Sequence, residues 1–189
     1  MIAQPLYLTP NEYLKLEEQS DIKHEYINGE TYAMAGANDA HVTIAGNLFA
    51  LLLSHLRGSG CRVYISDMKA RIETINRFYY PDIMVTCDPK DQETSTYKRF
   101  PCLIVEVLSN STEAFDRGDK FNDYQTLDTL QEYVLINTKQ QRIDCFRRTN
   151  ENLWLYQSYS TTQENFELKS VNFKGTLESL YENVILEQK

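Results

Sequence analysis

Three residues carry the most direct chemistry this sequence offers: Asp82, Glu106 and Lys120. Asp82 and Glu106 each interrupt an apolar run, the first in YYPDIMVTC and the second in PCLIVEVLS. Ionised carboxylates are seldom placed in buried strands, because desolvating them is costly unless a cation or donor compensates. Two of them in successive strands suit a hard divalent cation, since magnesium takes one or two carboxylates and keeps several waters. A metal held there would polarise a phosphate and lower the pKa of a water. An ammonium close by, with Lys120 in the next helix best placed, would position a nucleophile or stabilise charge in the transition state. On residue types alone the plainer reading is a structural ion pair between Glu106 and Lys120 or an arginine, because such networks also bury carboxylates.

Four further residues stand as secondary candidates, each with a plainer alternative. Glu25, in HEYINGE, is either an added site acid or a hairpin surface charge. His41, in the first turn of a helix, could contact a phosphate or relay a proton; a capping or packing role is the commoner outcome. Asp67 could serve a second metal or solvent, or simply cap a strand end. Asp116 stands four residues before Lys120 and would orient it. Ser109 and Thr112 read as organisers of the turn into that helix. The Tyr79–Tyr80 pair reads as packing rather than as a base-stacking platform.

The elements that must hold these residues follow from the pattern. Thr9-Pro10-Asn11-Glu12 starts a helix with a capping box, Leu8 and Tyr13 are spaced as a staple, and the helix ends near Glu18. Asn28-Gly29 between short alternating runs marks a hairpin. After the loop Ala35–Asp39, a helix runs from Ala40 to Arg57, with Asp39 as its cap and Gly58 as its stop. CRVYISDMKARIE reads as one long strand, and Asn76 turns the chain into FYYPDIMVTC, where Pro81 marks a strand start or bulge. Asp88–Arg99 is a polar loop. PCLIVEVLS is apolar on both faces, as a central strand covered on both sides must be, with Ile104, Glu106 and Leu108 on one face. A helix containing Asp116, Lys120 and Tyr124 follows, then strands at EYVLINT, RIDCFRR and LWLYQSYS. A last strand near Glu167–Leu168 and the short helix TLESLYENVI complete the chain. The central order α-β-β-β-α-β implies an α/β (α+β) fold with a mixed β-sheet flanked by helices.

At 189 residues the chain suits one domain: an N-terminal helix and hairpin over 1–38, a core over 39–137, and C-terminal strands with a short helix over 138–189. Apolar and charged fractions of 42% and 24% are those of an ordinary water-soluble protein. No stretch reaches the length of a membrane span, and MIAQPLYLTPNEYLKLEE lacks the features of a secretory signal. Cys61, Cys87, Cys102 and Cys145 are far apart with no CxxC, which reads as buried free thiols in a reducing cytoplasm. The net charge of −8 opposes nucleic-acid binding, yet Arg57–Arg148 holds 14 basic and 14 acidic residues, so the excess acid lies entirely in the flanks.

The pattern PD, then PCLIVEVLS, then D-x-x-x-K-x-x-x-Y, then EYVLI resembles the Uma2 family, formerly the domain of unknown function DUF820. Its members are numerous in cyanobacteria and are placed in the PD-(D/E)XK nuclease superfamily. The resemblance extends from the N-terminal helix through HEYINGE and His41 to Ile136, and weakens after Arg148. It implies a restriction-endonuclease-like core and a Mg²⁺- or Mn²⁺-dependent endonuclease acting on DNA, in a cytoplasmic homodimer. Asp82 and Glu106 would be metal ligands, with the main-chain carbonyl of Val107 a third. Where the superfamily expects Glu-x-Lys this chain has Leu108, and Lys120 would replace the missing lysine from the helix. Two alternatives stay open: a non-catalytic binding or regulatory member of the fold, or a metal-dependent hydrolase of another phosphoester.

Overall fold

A computed structural model describes residues 7–186. The expected first helix is α1 (Pro10–Glu17). Its capping box is complete: Thr9 Oγ1 accepts from the Glu12 amide at 3.3 Å, and Glu12 Oε2 accepts from the Thr9 amide at 2.8 Å. Tyr13, fully buried, packs with Tyr26, Phe78 and Leu8. The hairpin of β1 (His24–Ile27) and β2 (Glu30–Ala33) turns at Asn28 and Gly29, with φ of 51° and 101°. Both positions need the left-handed region, which Asn-Gly supplies. Helix α2 (Asp39–His55) is capped by Asn38 rather than Asp39: Asn38 is extended and its side chain accepts from the His41 amide at 3.0 Å. Asp39 instead occupies the first turn, where its charge favours the helix dipole.

The long strand expected over CRVYISDMKARIE is two strands, β3 (Arg62–Ile65) and β4 (Lys69–Ile72). Ser66, at φ 51°, turns the chain between them and donates its amide to the Asp82 carbonyl at 3.0 Å. Directly opposite, Pro81-Asp82 separates β5 (Arg77–Tyr79) from β6 (Ile83–Thr86). At this double corner the chain leaves one sheet and enters another, and alternation alone reads straight through such a corner. Asp82 therefore stands at a strand entrance, not within a strand.

The remaining strands are β7 (Tyr97–Lys98), β8 (Pro101–Val107), β9 (Glu132–Ile136), β10 (Arg142–Arg148), β11 (Trp154–Ser160), β12 (Asn165–Leu168) and β13 (Phe173–Thr176). One sheet has the order β2-β1-β5-β4-β7 and the second β11-β10-β9-β8-β6-β3. In the second, β8 pairs antiparallel with β6 and parallel with β9, so the sheet is mixed. Counted along this sheet, α2, β3, β6, β8, a helical segment and β9 reproduce the expected order. The helical segment is two short helices, α3 (Glu113–Arg117) and α4 (Asp119–Tyr124), divided at Gly118. The tail holds one more strand than expected: β13 pairs with β12 through a turn in which Asn172 takes φ 52°, before α5 (Leu177–Leu180).

Strand β8 is buried on both faces. Leu103, Val105 and Val107 pack toward Ile44, Leu48 and Leu52 of α2, while Ile104 and Leu108 pack toward Phe121, Tyr124 and Tyr133. Glu106 shares the second face, which forces its carboxylate into a largely apolar layer. The cysteine expectation fails for two of four residues. Cys61 and Cys87 form a disulfide beside the Arg62–Thr86 pair, where antiparallel β3 and β6 bring together residues 26 apart in sequence. Cys102 and Cys145 are free thiols, and burial pushes Cys102 up to about 11. Among the described residues no helix is long and apolar enough to cross a membrane.

Candidate active site

The corner that ends β5 and opens β6 presents Asp82 to the neighbouring strand β8. Asp82 Oδ2 accepts from the Val107 amide at 2.7 Å, and the Asp82 amide lies 3.4 Å from Glu106 Oε2. His41, held in the first turn of α2 by the Asn38 cap, places Nε2 2.8 Å from Asp82 Oδ1. Two elements, β8 and α2, thus fix the carboxylate that the corner presents.

Lys120 enters from α4, on the side of β8 that carries Glu106. Its ammonium is 3.0 Å from Glu25, 3.1 Å from Glu106 and 3.6 Å from Asp116. It also lies 5.4 Å from the centre of the Tyr79 ring. Leu108, at the position where the strand could have carried a lysine, is buried in the apolar layer instead. The helical lysine nonetheless reaches the Glu106 carboxylate directly. Ser109 and Thr112 shape the turn between them: their hydroxyls are 2.9 Å apart, and the Thr112 amide donates to Ser109 Oγ at 3.2 Å.

Charge and burial act against each other here. The side chains of Glu106, Lys120 and Asp116 are at most 7% exposed. Burial, and then the neighbouring Asp116, Asp82 and Glu25 carboxylates, push Glu106 well above the usual carboxylate range despite the pull of Lys120. Asp116 is raised by burial in the same way. Burial disfavours the charged lysine, but the carboxylates of Glu106, Glu25 and Asp116 outweigh it and hold Lys120 well above its ordinary value. The result is a firmly charged ammonium inside a carboxylate cluster that readily takes up an extra proton or cation.

The donor set has the chemistry of a hard-cation site. Glu106 Oε1 is buried, and although 3.1 Å from Lys120 it accepts no aligned hydrogen bond. A buried carboxylate oxygen with an ammonium beside it but no aligned donor keeps a lone pair open to a cation. Among the described residues no three His, Cys, Asp or Glu side chains are grouped to cage a metal. The oxygens at hand for a hard cation are those of Asp82 and Glu106 and of the main chain near Val107, within the one or two carboxylates that magnesium commonly takes.

Of the seven side chains singled out from sequence, Asp82, Glu106, Lys120, Glu25, His41 and Asp116 line one cavity of about 830 Å³. Glu25 is not a surface charge of the hairpin, with its side chain only 13% exposed. Asp67 does not join them; it is exposed and pairs with Lys23. Sequence reasoning missed the opposite wall, formed in part by Ile22, Tyr32 and Val42. No local pattern signals it, because only the packing of the two sheets brings residues 22–42 over β8. Tyr79 and Tyr80 are buried, as expected; the Tyr79 hydroxyl donates to Asp123 and that of Tyr80 to Glu17.

Comparison with known proteins agrees with this architecture. The family model Uma2, described as "Putative restriction endonuclease", matches residues 10–177. The uncharacterized protein slr1290 of Synechocystis sp. is 39% identical over 174 residues, covering 92% of this chain and 91% of the relative. A second Synechocystis protein, sll1609, also uncharacterized, is 36% identical over 157 residues, covering 82% and 89%. Among solved structures, one from Anabaena variabilis described as "a putative nuclease belonging to DUF820" superposes with a TM-score of 0.76. It covers 94% of this chain and 99% of that one at 16% identity, a likeness of fold.

Proposed function

This chain belongs to the Uma2 family, and from that premise we propose that it is a metal-dependent endonuclease hydrolysing DNA phosphodiester bonds, with Asp82, Glu106 and Lys120 as its catalytic residues. The observation that carries the reading is the meeting, at the buried Glu106 of the central strand, of the half-buried Asp82 at a strand entrance, whose amide lies 3.4 Å from the Glu106 carboxylate, and of the buried Lys120 ammonium of a helix, 3.1 Å from it. Magnesium or manganese would be held by Asp82, Glu106 and the Val107 carbonyl. It would supply Lewis-acid polarisation of the phosphate and a water of lowered pKa.

The chain's own side chains do the positioning. His41 and the Val107 amide lock the Asp82 carboxylate against rotation. The carboxylates keep Lys120 charged, so it can donate to an attacking water or to the phosphate oxygen on which charge develops. Asp116 and Glu25 hold that ammonium at the cavity floor. A homodimer would present two such sites.

The test is incubation of the purified protein with DNA, both as duplex plasmid and as heat-denatured single strand, and Mg²⁺ or Mn²⁺. Nicking or cleavage is expected, and Asp82→Asn should abolish it; activity unchanged in that variant would defeat the assignment. A non-catalytic binding role finds support in Lys120 already being satisfied by three carboxylates. Calorimetry with Mn²⁺ separates the readings, since absence of binding at millimolar metal favours the non-catalytic one.

A further inference from the structure

The cavity over Asp82 and Glu106 is poorly made for a duplex. Its reactive floor is deep, with the Glu106 and Lys120 side chains 4% and 7% exposed. Five carboxylates line it against two lysines, Lys23 and Lys120, so the lining is net acidic. Duplex affinity rests on lysines and arginines that neutralise many phosphates, and this lining cannot provide them. Its rim is apolar instead. Ile22, Tyr32 and Val42 are 57%, 49% and 58% exposed, among the most exposed large apolar side chains of the described residues, and all three face this one cavity. Exposed apolar and aromatic surface gathered at one mouth marks a binding site, and a flat tyrosine ring suits an unstacked base.

We propose that the cavity accepts an unpaired nucleotide, so that the substrate is a single strand, or the single-stranded end of a frayed or flapped duplex, rather than intact double-stranded DNA. This rests on the endonuclease reading above and names its substrate class. A volume of about 830 Å³ falls in the range of sites that enclose a small molecule, ~300–1,000 Å³, which admits one or two nucleotides and excludes a double helix. Tyr32 is the stacking platform: half exposed, its ring stands at the rim, and its hydroxyl donates to the half-buried Glu30 at 2.6 Å, leaving the ring face to the ligand. The acidic floor leaves the phosphate entering it to be met by Lys120 and a divalent cation. Lys23 is the other lysine of the lining, so binding should depend only shallowly on salt, with a log–log slope of about one or less.

The experiment measures anisotropy of a labelled oligonucleotide with the full chain in Ca²⁺, as a single strand and as a blunt duplex of the same sequence. It is repeated for Tyr32→Ala and Tyr32→Phe, and cleavage is then assayed in Mn²⁺ on single-stranded, flapped and blunt substrates. The single strand should bind at least about tenfold tighter than the duplex; Tyr32→Ala should lose about tenfold, the scale of one stacked base, and Tyr32→Phe should retain the affinity. Blunt duplex bound and cut as readily as single strand overturns the substrate class while leaving the endonuclease reading intact. Tyr32-dependent binding of single strand without cleavage in any metal supports the substrate class and removes the endonuclease reading. Equal affinity in Tyr32→Ala, a steep salt dependence, or no binding of either form overturns the proposal.

Discussion

Replacing Lys120 with methionine keeps the unbranched stem, one atom shorter, and removes its charge. The ammonium lies 3.0, 3.1 and 3.6 Å from Glu25, Glu106 and Asp116, none of whose side chains is more than 13% exposed. Breaking a buried ion pair by deleting one partner costs about 3–5 kcal/mol, because the other charge is left uncompensated. For a chain of this size, at roughly 2–4 °C per kcal/mol, Tm should fall by about 6–20 °C. The loss has a definite pH dependence. Glu106 and Asp116 already lie above their ordinary values of 4.5 and 3.8, and without the ammonium they must rise further. A carboxyl with a raised folded pKa binds more protons folded than unfolded, so stability falls as pH rises through that window and returns below it. The deficit of the variant should therefore be largest near pH ~8 and shrink toward pH ~5. Lys120 works at the other end of the scale: its folded pKa is raised above 10.5, so its contribution is present below that value and lost as pH climbs through the folded one. Thermal melts followed by circular dichroism across this pH range read the effect. Equal Tm values near neutral pH, or a deficit that does not change with pH, would refute the view that one ammonium neutralises the cluster.

Three further outcomes test the frame around the site. Asp91, buried in the loop before β8, accepts from Thr86 Oγ1 at 2.6 Å and from the Arg99 and Phe100 amides at 2.7 and 3.1 Å. Asp91→Ala strands these donors and should cost at least about 2 kcal/mol in a urea titration; a midpoint within error of the parent would count against it. Reducing the Cys61–Cys87 disulfide, which spans 26 residues, should lower stability by about 3–4 kcal/mol on the loop-entropy model. The Cys61→Ser, Cys87→Ser variant should then show no response to reductant, and a parent protein equally indifferent would disprove the linkage. Thr9→Ala removes the α1 capping box and should cost about 1 kcal/mol, read as increased amide exchange over Asn11–Tyr13.

Much of this architecture is legible in the residues because the determining signals are local. Thr9 and Glu12 close a box within one turn, Asn28-Gly29 specifies its hairpin, and the two-sided apolarity of PCLIVEVLS declares a central strand. What escapes is set by contacts distant in sequence. Ser66 and Pro81 turn two continuous alternating runs into corners because each run serves two sheets, and hydrophobic alternation is the same on either side of a corner. The Cys61–Cys87 bond depends on the register of β3 against β6, which spacing along the chain does not reveal. At the site, the acids and the lysine are visible as residue types out of place in apolar runs. Asp67 fits the same description and lies on the surface with Lys23, so type and strand position alone do not decide membership.

Glu25 belongs to β1, in the sheet that does not contain Glu106, yet it touches the same ammonium. The cluster is therefore complete only while the two sheets are in register with each other, and it is as durable as the weaker of them. Proteins open in cooperative pieces whose free energies lie below that of global unfolding. If the β1–β2 hairpin swings away as such a piece, Lys120 loses one of three carboxylates and the cavity loses its Tyr32 wall in the same event. Occupancy of the cavity and closure of the hairpin are then a single equilibrium. Whatever binds over β8 must slow amide exchange in Tyr26 and Ile27, two residues of β1 that do not line the cavity themselves.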